Sequence, residues 1–204
     1  MWTSQDATEI EVPIPVIDSA VAMRNLSALK SEPEAASRTV EVQMAHFEGD
    51  QDARLTQLKG AMCASMIITY AQGMAQLRTA SKVSERSPNP EDVASIWRGG
   101  CIDRSALLEG IRAAYHAHPD LPNLLNDSRL GEAVVAGQRY LRTVVCLAGK
   151  LGFPIPCLVA SLAYLDGSRS AWLPADLIQA QRGYLGAHTY EHVDAKGVFH
   201  THRE

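Results

Sequence analysis

The stretch "LTQLKGAMCASMIITYAQGMAQL", residues 55–77, decides the fold class. Leu55, Leu58, Met62, Met66, Tyr70, Met74 and Leu77 recur at intervals of three or four, the period of an α-helix. Between Ala61 and Ala71 only Ser65, Thr69 and Tyr70 bring polar atoms, so this helix is apolar nearly all round. A helix of that kind is enclosed by other helices rather than laid on a surface. Its methionines read as core filler, not as a cofactor pocket.

Helical signals continue on both sides. One helix is expected over 16–37, with Asp18 near its start and Arg24 within it, after a polar, turn-like opening "MWTSQDATEIEVPIP". In "NPEDVASIW" (89–97), Asn89 suits an N-cap and Pro90 the first helical position, while Glu91 and Asp92 meet the positive end of the dipole. Gly99-Gly100 ends that helix, and "DRSALLEGIRAAYHAH" (103–118) makes the next one, stopped before Pro119. "HPDLPNLLND" reads as a loop with at most one helical turn. Further helices are expected over 128–149, over 157–168 after the "FPIP" break, and from Pro174 toward Gly183. No β-branched alternation extends over five positions, and no turn dipeptide joins two alternating runs. The expected class is all-α: one multi-helix domain over 1–186, followed by an extended tail over 187–204.

Composition narrows the function. The 204 residues carry a formal charge of −4 and no basic cluster, so nucleic acid is not an expected partner. No apolar run of eighteen residues and no basic-then-apolar leader occurs, which argues against membrane spanning and secretion. Cys63, Cys101, Cys146 and Cys157 lack metal-type spacing and lie in apolar stretches. They read as reduced, buried thiols of a cytoplasmic protein.

No GxGxxG, P-loop, HExxH, GxSxG or CxxC pattern is present. The candidate site is instead "QAQRGYLGAHTYEH" (179–192). Arg182 lies where a helix is ending, and Gly183 and Gly186 permit the backbone to leave helical geometry there. His188 can then turn back and share an anion with Arg182, because a planar guanidinium fork suits phosphate or carboxylate and imidazole adds a donor. The competing readings are a simple dipole complement at the helix end and a zinc site from His188, His192, His200 and His202, with Glu191 and Asp194 as the nearby carboxylates. The expectation is no metal.

Several long segments, in order, resemble the C-terminal all-helical domain of decarboxylating 6-phosphogluconate dehydrogenase. They are "WTS" (2–4), "AMRNLSALKSEPEAAS" (22–37), "YAQGMAQLRTAS" (70–81), "IWRGGCIDRSALL" (96–108), "LPNLLND" (121–127), "GFPIPC" (152–157), "LAYLDGSRSAWLPADLIQAQRGYLGAHTYE" (162–191) and "GVFHTH" (197–202). The resemblance implies NADP-dependent oxidative decarboxylation of 6-phosphogluconate to ribulose 5-phosphate in the pentose phosphate pathway. It also implies a homodimer whose tail reaches the neighbouring subunit's active site. The family's substrate-phosphate arginine falls on Arg24, and the pair donated by the partner falls on Arg182 and His188.

The chain departs from the family at Gly183, where Asp is usual, at Leu185 for Phe, at Arg203 for Trp, and at Met1 and Met66 for Lys. Neither the family's Rossmann domain nor its catalytic Lys and Glu has a counterpart here. The chain is therefore expected to be a truncated or split member, supplying dimerisation and part of the substrate site. It would be inactive alone and would depend on a separate Rossmann-domain subunit for NADP. The alternative is a non-enzymatic helical dimerisation or sugar-phosphate-binding module.

Overall fold

A computed structural model describes residues 2–40, 45–83, 88–100, 105–186, 188–192 and 194–200. Among these, the helices are α1 (Trp2–Glu9), α2 (Pro15–Ser27), α3 (Ser31–Thr39), α4 (Gln51–Val83), α5 (Pro90–Gly100), α6 (Leu107–Ala117), α7 (Ser128–Leu151), α8 (Pro156–Ser168) and α9 (Ala175–Gly186). A 3₁₀ turn, Leu124–Asn126, precedes α7. Two short strands, β1 (Tyr190–Glu191) and β2 (Val198–Phe199), pair antiparallel, Tyr190 opposite Phe199. The all-α class holds. The chain forms two compact units, Met1–Leu165 and Asp166–Glu204.

The first unit is built round α4, whose 33 residues make a rod of about 50 Å. It buries Ala61, Ala64, Ile67, Ile68, Ala71 and Met74 together with Leu130, Val134, Leu141 and Val144 of α7. The two helices run antiparallel, since Gly60 faces Tyr140 while Ala64 faces Gly137. They approach so closely that a Cβ on Gly137 would lie 2.8 Å from the Ala64 Cβ and 3.0 Å from the Gly60 carbonyl oxygen. The contact therefore depends on small residues at the crossing. Nearby, the buried hydroxyls of Ser65 and Ser161 share a 2.6 Å hydrogen bond that ties α8 to α4.

The enclosure expected for α4 is only half met. Met74 is buried, but Leu55, Leu58, Met62 and Met66 remain between 39% and 55% exposed. Small side chains at 61, 64 and 71 face α7 instead, because they admit a closer helix approach. Cys63 and Cys146 are also exposed rather than buried, and Cys157 is half-buried; all three are free thiols. Cys101 lies outside the described residues.

The opening segment differs from its turn-like reading. Trp2–Glu9 is helical because α4 holds it: the Gln76 side-chain amide donates to the Thr3 carbonyl (2.9 Å) and to the Asp6 carboxylate (2.7 Å). An isolated helix of this length would not persist in water. Gln72, fully buried, accepts the backbone N–H of Val16 at 3.1 Å through its side-chain oxygen. That bond caps the first turn of α2, whose own N-cap residue, Ile14, supplies no side-chain bond.

The single helix expected over 16–37 is two, broken at 28–30. Pro33 accounts for the break: a continuous helix would require its missing N–H and would press its ring on the Leu29 carbonyl. Pro33 sits instead in the first turn of α3, where both demands vanish. Downstream, Asn89 Oδ1 accepts from Glu91 N at 2.9 Å and Asp127 Oδ1 from Leu130 N at 2.9 Å, giving side-chain caps to α5 and α7. α7 ends on Gly152 in the left-handed conformation, φ 75°. The helix expected over 103–118 is described only over Leu107–Ala117; residues 103 and 104 lie outside the described ones.

Tyr115 of α6 is 2% exposed. Burial pushes its hydroxyl pKa up from 10.0 to about 12, against an opposing pull from Arg78. Its neutral form is thus favoured in the fold. Stability from this residue is complete below pH 10 and is lost as pH rises from about 10 toward 12, where only the unfolded chain has released the proton. The loss amounts to at most about 3 kcal/mol. Urea unfolding at pH 9 and 11.5 should show a steeper alkaline loss in the wild type than in Tyr115→Phe; equal losses would contradict it.

Candidate functional site

α9 begins where Pro174 sets the backbone, with 3₁₀-type bonds from Asp176 N to the Leu173 carbonyl and from Leu177 N to the Pro174 carbonyl, both 3.1 Å. It continues three residues beyond the expected end at Gly183, to Gly186. Neither glycine takes a positive φ, so they do not act by releasing the backbone. They act by lacking a side chain. Gly183 is buried under the chain that returns after the helix, with the His188 carbonyl oxygen and the Tyr190 ring just beyond where a Cβ would stand. At Gly186 a Cβ would lie 3.0 Å from the His188 ring, so the imidazole rests on the bare helix end.

The residue that organises this return is Gln179. Its side-chain oxygen accepts from Arg182 Nη1 at 3.2 Å, and its Nε2 donates to the Thr189 carbonyl at 2.6 Å. One amide therefore orients the guanidinium and pins the residue next to His188. Arg182 and His188 are both exposed and make no hydrogen bond to one another, which leaves their remaining donors open to an external anion. The sequence reading missed Gln179. Its spacing of three from Arg182, on the same helical face, is the signal that could have found it.

The remaining predicted residues fall elsewhere. Arg24 lies in the last turn of α2, in the first unit, and is exposed; its backbone carbonyl accepts from the Ser27 hydroxyl at 2.7 Å. His192 stands edge-on to Tyr190 (5.4 Å between ring centres) and to Phe199 (4.6 Å), with Nδ1 3.6 Å from Asp194. Its ring is packing for the β1–β2 ladder. Among the described residues no group of three or more His, Cys, Asp or Glu could hold a metal ion. His202 and Arg203 lie outside the described residues.

A cleft of about 640 Å³ borders α9, and Trp172, Tyr184 and Tyr190 contribute to its walls. Asp176, Glu191 and Asp194 also line it, and three carboxylates make it a poor receptacle for phosphate. Any anion held by Arg182 would sit outside this cleft, since Arg182 is not part of its lining. The described residues do not fit a dinucleotide either. That group needs a strand, a glycine-rich turn and a helix N-terminus, whereas the described strands are two residues each and neither leads into a helix through such a turn. No described helix is long and apolar enough to cross a membrane.

Comparison with known proteins gives the same answer three times. A sequence model described as "6-phosphogluconate dehydrogenase, C-terminal domain" matches residues 1–203. Relatives named 6-phosphogluconate dehydrogenase, decarboxylating, from Staphylococcus epidermidis and Staphylococcus aureus are each 44% identical over 200 residues. The match takes in 98% of this chain and 43% of each relative, so the chain spans less than half their length. Among solved structures, the 6-phosphogluconate dehydrogenase of Plasmodium falciparum, studied in its apo form, with its cofactor NADP+ and with its substrate 6-phosphogluconate, superposes with a TM-score of 0.91. It is 35% identical and is covered over 43% of its length.

Proposed function

We propose a function from one premise: the chain belongs to the 6-phosphogluconate dehydrogenase family, whose C-terminal helical domain it carries. In this reading it supplies the helical part of a cytoplasmic enzyme of the pentose phosphate pathway, which oxidatively decarboxylates 6-phosphogluconate with NADP. It acts as a homodimer. Arg24 of one protomer, with Arg182 and His188 of the other, holds the sugar phosphate. NADP would be bound by a nucleotide-binding portion outside these 204 residues, in the same polypeptide or in a separate subunit.

The observation that carries the reading is the Arg182–Gln179–Thr189 linkage. It holds an arginine fork and the segment bearing His188 in one preset arrangement, with both groups exposed. A preorganised, exposed guanidinium at a helix end, with an imidazole donor near it, suits an anion presented by another protomer. The chain's own role is binding and orientation.

Titration calorimetry with 6-phosphogluconate tests this. A charge-assisted hydrogen bond contributes about 1.5–3 kcal/mol, so Arg182→Ala and Arg24→Ala are each expected to weaken binding about 10- to 100-fold. His188→Ala should weaken it less, and His192→Ala should leave it unchanged, because His192 packs against Tyr190 and Phe199. Wild-type affinity in the first three variants would refute the assignment. Equal losses from His188→Ala and His192→Ala, with zinc in the purified protein, would favour the metal reading.

A further inference from the structure

An arginine and a histidine on a protein surface each sample several rotamers, and an anion that recruits them has to order them. Arg182 and His188 are exposed, so what holds them before a ligand arrives governs how tightly they can bind. Two residues do the holding, and neither offers an anion a charge. The neutral amide of Gln179 accepts from Arg182 Nη1 at 3.2 Å and donates to the Thr189 carbonyl at 2.6 Å. Turning this amide over would set donor against donor and acceptor against acceptor, so the two bonds fix it in one orientation. A glutamate here would draw the guanidinium's charge to itself, whereas an amide orients the fork and leaves that charge for a ligand. Gly186 serves His188. Its φ is not positive, so the backbone does not require glycine, and alanine would favour the helix. What requires glycine is the imidazole: a Cβ would stand 3.0 Å from Cδ2 and 3.1 Å from Nε2 of His188.

We infer that Gln179 and Gly186 are positioning residues for the anion site. The first presets the Arg182 fork and the chain at Thr189, the second seats the His188 ring, and both act on affinity without touching the ligand. The inference rests on the proposed role of Arg182 and His188, and it adds that their affinity is set by order already present before the anion binds.

Calorimetry with 6-phosphogluconate on the full chain tests it. Ordering one rotamer-rich side chain on binding weakens affinity about 2- to 10-fold. Gln179→Met removes both bonds yet suits a helix, so it is expected to weaken binding about 5- to 50-fold. Gly186→Ala should weaken it about threefold while the protein stays at least as stable to urea, a combination that a merely structural glycine would not give. The effects should also fail to add. Gln179→Met should matter less in an Arg182→Ala background, and Gly186→Ala should do nothing further in a His188→Ala background. Gln181→Met, the same change on the opposite side of α9, should leave affinity unchanged. Without ligand, nuclear magnetic resonance should give backbone order parameters at His188 and Thr189 of about 0.85 in the wild type and below about 0.6 in Gln179→Met. Full additivity, unchanged affinity in Gln179→Met or Gly186→Ala, an equal loss from Gln181→Met, or order parameters that do not move would each overturn the inference. A wild type without affinity for 6-phosphogluconate, with order parameters that fall as expected, would overturn the functional reading alone.

Discussion

Mixed with 6-phosphogluconate and NADP, the 204-residue chain alone is expected to form no NADPH above background. Hydride transfer needs the nicotinamide held against the substrate, and a dinucleotide of that size is ordinarily gripped at a strand–turn–helix unit. The sequence has no GxGxxG, and the described strands are two-residue pieces. Proton transfer needs an acid or base within hydrogen-bond reach of the reacting carbon's substituents. The groups assigned here, Arg24, Arg182 and His188, are placed by family resemblance at the phosphate instead. A spectrophotometric assay at 340 nm is the direct check, repeated after adding a purified nucleotide-binding portion of a relative. Activity appearing only in the mixture is the expected result. Steady NADPH formation by the chain alone, abolished by Arg182→Ala, would refute it.

Gly137→Val is expected to be the most damaging single substitution in the first unit. The added Cβ meets the Ala64 Cβ at 2.8 Å and the Gly60 carbonyl at 3.0 Å, and the latter is backbone that no rotamer change can move. Opposing this, replacing a mid-helix glycine recovers only a few tenths of a kcal/mol when the new residue is β-branched. Overpacking typically costs about 1–3 kcal/mol, and a branched side chain between two backbones belongs at or above the upper end. Against a total stability of about 5–15 kcal/mol that is a large fraction. Chemical denaturation should show the loss. For the smaller change Gly137→Ala, adding Ala64→Gly should recover part of it, since one of the two clashing carbons is then gone. A Gly137→Val protein as stable as the wild type would show that the helices can separate freely.

The residues themselves determined the all-helical class. Helical spacing through 55–77, Asn89-Pro90, and the absence of any alternating run are local properties, and local propensity and pattern depend on near neighbours. The family, and with it Arg24, Arg182 and His188 as candidates, was also legible, because several long motifs in order are far more specific than any one residue. Other features could not be read locally. Trp2–Glu9 is helical because Gln76, seventy residues away, holds its backbone and Asp6. The face of α4 that enters the core was settled by Gly137 and Ala64, which let α7 approach the alanine side and left the larger Leu55–Met66 ridge outside. Gly183 and Gly186 looked like places for the helix to stop; the helix runs through Gly183 and ends on Gly186, and the two glycines make room for Tyr190 and His188. Periodicity records which residues share a face, but only packing between distant segments decides what that face meets, and here it also joined Arg182 and the Thr189 carbonyl, next to His188, through one amide, Gln179.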